Sequence, residues 1–165
     1  MNTQAPSSSG DERTMIPDEE IQSHIREMGY ISATPRAIYP SYYKLNDGTI
    51  LKALVTVNYL LPDPRQPDGF NVNTTNILSA YVSKEKRRPQ QYRPFTQAEI
   101  TSSIIDEDVE FEVLRENFSV YELSNGLVLS LKTVVGQVKK TNLVDFGGEP
   151  IYIVDTKPII KIKKQ

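Results

Sequence analysis

Two stretches of this chain read as versions of one text. Tyr43-Lys44-Leu45-Asn46-Asp47-Gly48-Thr49-Ile50-Leu51 returns 78 residues later as Tyr121-Glu122-Leu123-Ser124-Asn125-Gly126-Leu127-Val128-Leu129. The same offset carries Val57 onto Val135, Gly69 onto Gly147, and Tyr81-Val82 onto Ile159-Ile160 without a gap. Upstream, Ile16-Pro17-Asp18-Glu19-Glu20-Ile21 matches Phe95-Thr96-Gln97-Ala98-Glu99-Ile100 at an offset of 79. Such a period is too long for a solenoid, and there are only two copies. Two copies of one supersecondary unit instead predict one domain with internal pseudo-twofold symmetry.

The expected organisation follows from that symmetry. Residues 1–14 are polar, with Pro6, Gly10 and the run Ser7-Ser8-Ser9. They offer too little apolar area to offset ordering entropy and are expected to form a disordered tail. The domain then spans 15–165, with repeat 1 at 16–86, a linker at 87–94 and repeat 2 at 95–165. Each repeat opens on a short helix. In the first, Pro17 suits the first turn, Asp18, Glu19 and Glu20 favour the positive end of the helix dipole, and Gly29 is a plausible stop. Ile21, Ile25 and Met28 make one apolar stripe, and a helix this short needs something larger to lie against. In the second, Thr96 and Glu99 have the spacing of a capping box.

The larger element is sheet. Asp47-Gly48 and Asn125-Gly126 are pairs suited to type I′ hairpin turns. Long strands follow at about 49–61 and 127–138, apolar on alternate positions. Leu51, Ala53, Val55, Val57 and Tyr59 face one way in the first; Leu129, Leu131, Thr133 and Val135 do so in the second. Loops of matched length at 62–72 and 140–150 lead to third strands near 74–84 and 152–163, and shorter strands are expected before each hairpin, at 30–33 and 109–113. The fold class is therefore α+β and β-rich. Three main strands per repeat leave poor edges, which pairing the repeats into a six-stranded barrel or barrel-like sheet would remove.

Composition narrows function by exclusion. The chain has 19 Lys+Arg against 21 Asp+Glu, a net charge of −2, where a phosphate-gripping domain usually shows a basic excess. No cysteine is present, so disulfides, thiolate zinc sites and thiol nucleophiles are excluded. No apolar run approaches the ~20 residues of a membrane-spanning helix, and the first ten residues lack the basic start and apolar stretch of a signal peptide. A cytoplasmic protein without a membrane partner is the expectation.

No catalytic or cofactor motif emerges. His24 is the only histidine, and neighbouring Ser23 points about 100° away on a helix, so the two are no nucleophile–base pair. Asp106-Glu107-Asp108 with Glu110 and Glu112 is acidic but lacks the spacing of a calcium loop. Asp145-Phe146-Gly147 matches a kinase tripeptide with none of its companions, and Gly147-Gly148 reads as a turn. Two other groups remain. Lys84, Lys86, Arg87 and Arg88 end the first repeat, Lys161, Lys163 and Lys164 end the second, and Tyr92 with Arg93 follows the first cluster. These can grip phosphates beside an aromatic ring, or merely keep strand edges from pairing, and edge protection ranks first. Tyr39 and Tyr42 are specific to the first repeat and mark a binding surface or strand filler.

The expectation is thus a protein that is not an enzyme and needs no cofactor or metal: an interaction or structural module that binds a protein partner or its own copies. A nucleic-acid-binding barrel using the basic strand ends is the second reading. An enzyme working with carboxylates alone is the third, since paired acids leave no recognisable spacing.

Overall fold

The computed structural model describes residues 15–89 and 93–165. The expected tail and Tyr92 lie outside the described residues. In chain order the elements are α1 (Asp18–Glu27), β1 (Ala33–Ala37), β2 (Ser41–Leu45), β3 (Ile50–Pro62), β4 (Phe70–Tyr81), a 3-10 turn (Lys84–Lys86), α2 (Gln97–Ser102), β5 (Ile104–Asp106), β6 (Phe111–Arg115), β7 (Ser119–Leu123), β8 (Leu127–Val144) and β9 (Pro150–Lys164). The fold is α+β and mostly sheet.

The strands form two antiparallel sheets. The first has the order β4-β3-β2-β6; in the second β1, β7 and β8 are neighbours, and β8 also pairs with β9 and β5. Neither closes, so the expected six-stranded barrel is not formed. The edges that would have completed it are β4 and β9. Among the described residues no ladder joins them, and they meet where Asn76 Nδ2 donates to Thr156 Oγ1 at 2.6 Å. Pro158, two residues on, has no N–H to offer a further strand there.

The short strands before the hairpins do form, at Ala33–Ala37 and Phe111–Arg115 rather than 30–33 and 109–113. Each leaves its own half. Strand β1 pairs with β7 through Ala33↔Leu123, Thr34↔Glu122, Pro35↔Tyr121 and Ala37↔Val120. Strand β6 pairs with β2 through Phe111↔Leu45, Glu112↔Lys44, Val113↔Tyr43 and Arg115↔Tyr42. The two registers coincide at an offset of 78, down to the skipped residue, Arg36 in one and Leu114 in the other. Backbone bridges repeat likewise: Ile31 N–H donates to the Leu60 carbonyl at 2.9 Å, and Val109 N–H to Val138 at 2.8 Å.

Side chains from both sheets build two core clusters. One holds Tyr43, Leu45, Leu51, Ala53, Val109, Val135 and Val138; the other Val55, Val57, Leu60, Tyr121, Leu123, Leu129 and Leu131. Each fully buried leucine contributes on the order of 1.5–3 kcal/mol by leaving water. Tyr59 is the one misplaced inward residue. A bulge after Val57 reverses the alternation, so Leu60 takes the buried position and Tyr59 packs edge-on against Tyr30 at 4.9 Å.

The turns differ in type from expectation. Gly48 and Gly126 have φ of 89° and 87°, but no other residue type has positive φ among the described residues, which excludes the type I′ turn. Gly48 N–H donates to the Leu45 carbonyl and Gly126 N–H to Leu123, giving three-residue loops with a type I turn and a glycine bulge. The Asp47 and Asn125 carboxyl and amide oxygens cap the loops by accepting the N–H of Thr49 and Leu127.

The return strands carry a second correction. Tyr81 pairs with Ile50 and Lys163 with Val128, so the offset here is 82 and Tyr81 does not map onto Ile159. Seven residues separate Pro62 from Phe70, and eleven separate Lys140 from Tyr152, so the loops are not of matched length. The surplus forms the irregular end of β8, which also pairs with β5. At the helices, the Thr96–Glu99 capping box is present with both bonds at 3.1 Å. Pro17 is the N-cap of α1 rather than a first-turn residue, and Gly29 follows the helix at φ 96°. The stripe on α1 does not find the packing expected of it: Ile21 is 42% and Met28 72% exposed.

Candidate interaction surfaces

Strand alternation gives each sheet an outer face. In β3, Leu51, Ala53, Val55 and Val57 are buried, so Ile50, Lys52, Leu54 and Thr56 point the other way. Their cross-strand partners on β4 are Tyr81, Ser79, Ile77 and Thr75. With Tyr42, opposite Lys52, the apolar and aromatic field of this face is Tyr42, Ile50, Leu54, Ile77 and Tyr81, with Lys52 and Ser79 between its rows and Lys44, Glu112 and Arg115 beside it. Ile77 is 49% and Tyr81 53% exposed. Strand β4, an edge strand, contains no charged residue over its twelve positions.

The second sheet presents the opposite chemistry in the same layout. Outward on β8 stand Val128, Ser130, Lys132 and Val134, opposite Lys163, Lys161, Ile159 and Lys157 on β9. Lys132 and Lys161 hold their ammonium groups 4.9 and 4.8 Å from the centre of the Phe118 ring. At matching registers the first sheet has Leu54, Thr75, Ser79 and Tyr81 where the second has Lys132, Lys157, Lys161 and Lys163.

A polar cluster links the halves. The Asp47 carboxylate accepts Lys140 Nζ at 3.1 Å, the Tyr152 hydroxyl at 3.0 Å and the Thr49 N–H at 2.9 Å, and Lys86 Nζ donates to the Asp47 carbonyl. Burial alone pushes the Asp47 carboxyl up, but the hydrogen bonds from Thr49, Lys140 and Tyr152 together hold it well below its ordinary value. Tyr152, desolvated and beside that carboxylate, is pushed up to about 12. Asp47, Lys86 and Lys140 line a cleft of about 350 Å³ with Glu85 and Arg88. Arg88 closes one side, its N–H donating to Gly148 O at 2.9 Å and its guanidinium to Asn142 O at 3.2 Å. These bonds fasten the linker to the irregular end of β8. With two acids among its charges and its cations already paired, the cleft is better suited to joining the halves than to holding a ligand.

The residues singled out in the sequence are thus redistributed. Lys84 and Lys86 lie in the 3-10 turn and Arg87 follows it, while Lys161 and Lys163 lie within β9, opposite Ser130 and Val128, and Lys164 opposite Leu127. The two basic clusters therefore do not occupy matching strand ends; the offset of 82 puts Ser79 and Tyr81, not lysines, where Lys161 and Lys163 stand. Arg93 is engaged, with Nη2 2.8 Å from Glu99 and its guanidinium over Phe95 at 5.1 Å. Tyr42 is on the apolar face. Tyr39 is 46% exposed, and its N–H donates to Ser119 Oγ at 2.8 Å. The strand alternation already turns Lys132 outward; Phe118 beside it, and Ile77 and Tyr81 on the other sheet, are additions of the structure. The signal was there: lysines on a central strand and an uncharged edge strand are both unusual.

His24 sits on exposed α1, 3.9 Å from Glu27. The acidic stretch is dispersed: Glu107 pairs with Lys139 at 3.6 Å, and Asp106 accepts the Asp108 N–H. Among the described residues no three His, Asp or Glu side chains converge, and no helix is long and apolar enough to cross a membrane. No family model, no curated protein and no solved structure matches this chain.

Proposed function

We propose that this chain is a non-catalytic protein-interaction module, made of two copies of one unit, that associates with a second copy of itself through the outer face of the first sheet. The observation carrying the reading is the field of Tyr42, Ile50, Leu54, Ile77 and Tyr81 on a sheet whose edge strand is uncharged. A face of this kind exposes apolar area that association removes from water, at roughly 25 cal/mol per Å². The duplication itself is supported by strand registers, bridges and core clusters that correspond at offsets of 78 and 82. The equivalent face of the second sheet has Lys132, Lys161 and Lys163 where the first has Leu54, Ser79 and Tyr81. Ile50 and Ile77 keep apolar counterparts in Val128 and Ile159, but Leu54 and Tyr81 do not, so their apolar surface is not a demand of the architecture and has a use of its own.

Face-to-face packing suits this surface better than edge pairing, because the middle of β4 is already met by Thr156 of β9. A twofold contact is self-complementary, as in most homodimers. The test is light scattering on the eluting chain over a range of concentrations, for the wild type and for Ile77→Lys. The proposal requires a dimer that the substitution turns into a folded monomer. A wild type that is monomeric throughout would overturn it.

A further inference from the structure

We propose that the outer face of the second sheet binds single-stranded nucleic acid through its phosphates. Four lysines stand on that face, Lys132 on β8 and Lys157, Lys161 and Lys163 on β9. The acids beside them do little to cancel this charge. Glu122 is paired with Arg36, and Asp155 lies opposite Gln137, two pairs beyond Lys157 at the far end. Lys132 and Lys161 converge on the Phe118 ring, which places an aromatic group next to the densest positive charge.

Two comparisons within the molecule separate this reading from simple edge protection. Lysines on β9 guard an edge, but Lys132 is on β8, which lies between β7 and β9. The positions with the same registers in the first sheet are Leu54, Thr75, Ser79 and Tyr81, none charged, and β4 is as much an edge as β9. The fold does not ask for these lysines, so their concentration on one face points to a partner of opposite charge.

The arrangement favours a linear polyanion. Lys161 and Lys163 are two positions apart on one strand, about 7 Å, and Lys157 extends the same row. Cations strung along one strand meet a regularly charged chain better than a single compact anion. A sheet face carrying lysines around a ring also combines the two elements of single-strand binders, backbone charge and an aromatic group. With a net charge of −2 the molecule as a whole does not attract phosphates, so binding is confined to this face and is salt-sensitive.

The probe is a fluorescein-labelled single strand of mixed sequence, about 20 nucleotides long, as DNA and as RNA, read by anisotropy against the full-length chain. Four phosphate contacts give a slope of log affinity against log salt of about −2.8, so raising salt from about 50 to about 200 mM weakens binding about 50-fold. The triple variant Lys132→Gln, Lys161→Gln, Lys163→Gln, checked for folding by circular dichroism, should bind at least about 10-fold more weakly at the lower salt with a slope near −0.7. Ile77→Lys, on the other sheet, should bind as the wild type does, which keeps this test separate from that of self-association. No binding at low salt, or a folded triple variant with unchanged affinity and slope, would overturn the proposal. So would tighter binding to duplex DNA, to polyglutamate or to phosphatidylserine vesicles than to the single strand.

Discussion

The hydroxyl of Tyr43 on β2 accepts the backbone N–H of Val135 on β8 at 3.2 Å, across the junction of the two sheets. Tyr121 and Val57 make the corresponding contact at 3.3 Å. Both tyrosines are almost fully buried, and each satisfies an amide that strand pairing leaves free at a bulge. Tyr43→Phe and Tyr121→Phe should each lower stability by about 1–3 kcal/mol, because a buried N–H loses its acceptor. Urea unfolding of the two variants checks this, and a midpoint equal to the wild type in either would contradict it.

Tyr43, Tyr152 and Asp47 shape the pH range. Desolvation and the Glu116 carboxylate push the Tyr43 hydroxyl up from 10.0 to about 12, and desolvation with Asp47 does the same to Tyr152. Both hold their protons more tightly when folded, so their contribution is whole below pH ~10 and is lost as pH climbs to ~12. Asp47 works in the other direction. Its depressed carboxyl stabilises the fold above its ordinary value of 3.8, and that contribution is lost as the pH falls below it. Thermal melts from pH 3 to pH 7 should therefore be flatter for Asp47→Asn than for the wild type, and parallel curves would count against the cluster joining the halves.

Two glycines with similar backbone angles should respond unequally. Gly126 has φ of 87° with nothing within 4 Å of a Cβ, whereas at Gly148, with φ of 81°, a Cβ would overlap the Arg88 carbonyl. Gly126→Ala should cost about 1 kcal/mol of backbone strain, and a β-branched valine about 1–3 kcal/mol. Gly148→Ala should cost more than Gly126→Ala, since the linker must also shift. Equal melting temperatures for the two alanine variants would mean that Arg88 is not held against Gly148.

How much was legible in the sequence depended on the range of the interaction. Alternation placed Leu51, Val55, Leu129 and Val135 correctly, because the period of two is a property of the strand alone. The Thr96 capping box and the glycines of both hairpins were equally local. Turn type was missed because Asp47 and Asn125 tolerate positive φ without requiring it. The exchange of β1 and β6 between sheets lay beyond reach, since strand partners many residues apart leave no local mark. Barrel closure failed at Pro158 and at a seam that only the assembled sheets define. For the surfaces, Tyr42 and Lys161 lie on outer sheet faces, but the offset of 82 between the return strands puts Ser79, not a lysine, at the register position of Lys161. Once the register is known, the contrast of Leu54, Ser79 and Tyr81 with Lys132, Lys161 and Lys163 follows at once.

Sedimentation velocity tests self-association through Ile77 and Tyr81 most directly. Ile77 and Tyr81 are about half exposed, so replacing both by lysine should change the stability of the fold by no more than about 0.5 kcal/mol each. The wild type should sediment as a dimer that dissociates on dilution, and Ile77→Lys, Tyr81→Lys as a monomer with unaltered circular dichroism. A folded double variant with the same concentration-dependent sedimentation as the wild type would contradict the account, as would a wild type that stays monomeric at every concentration.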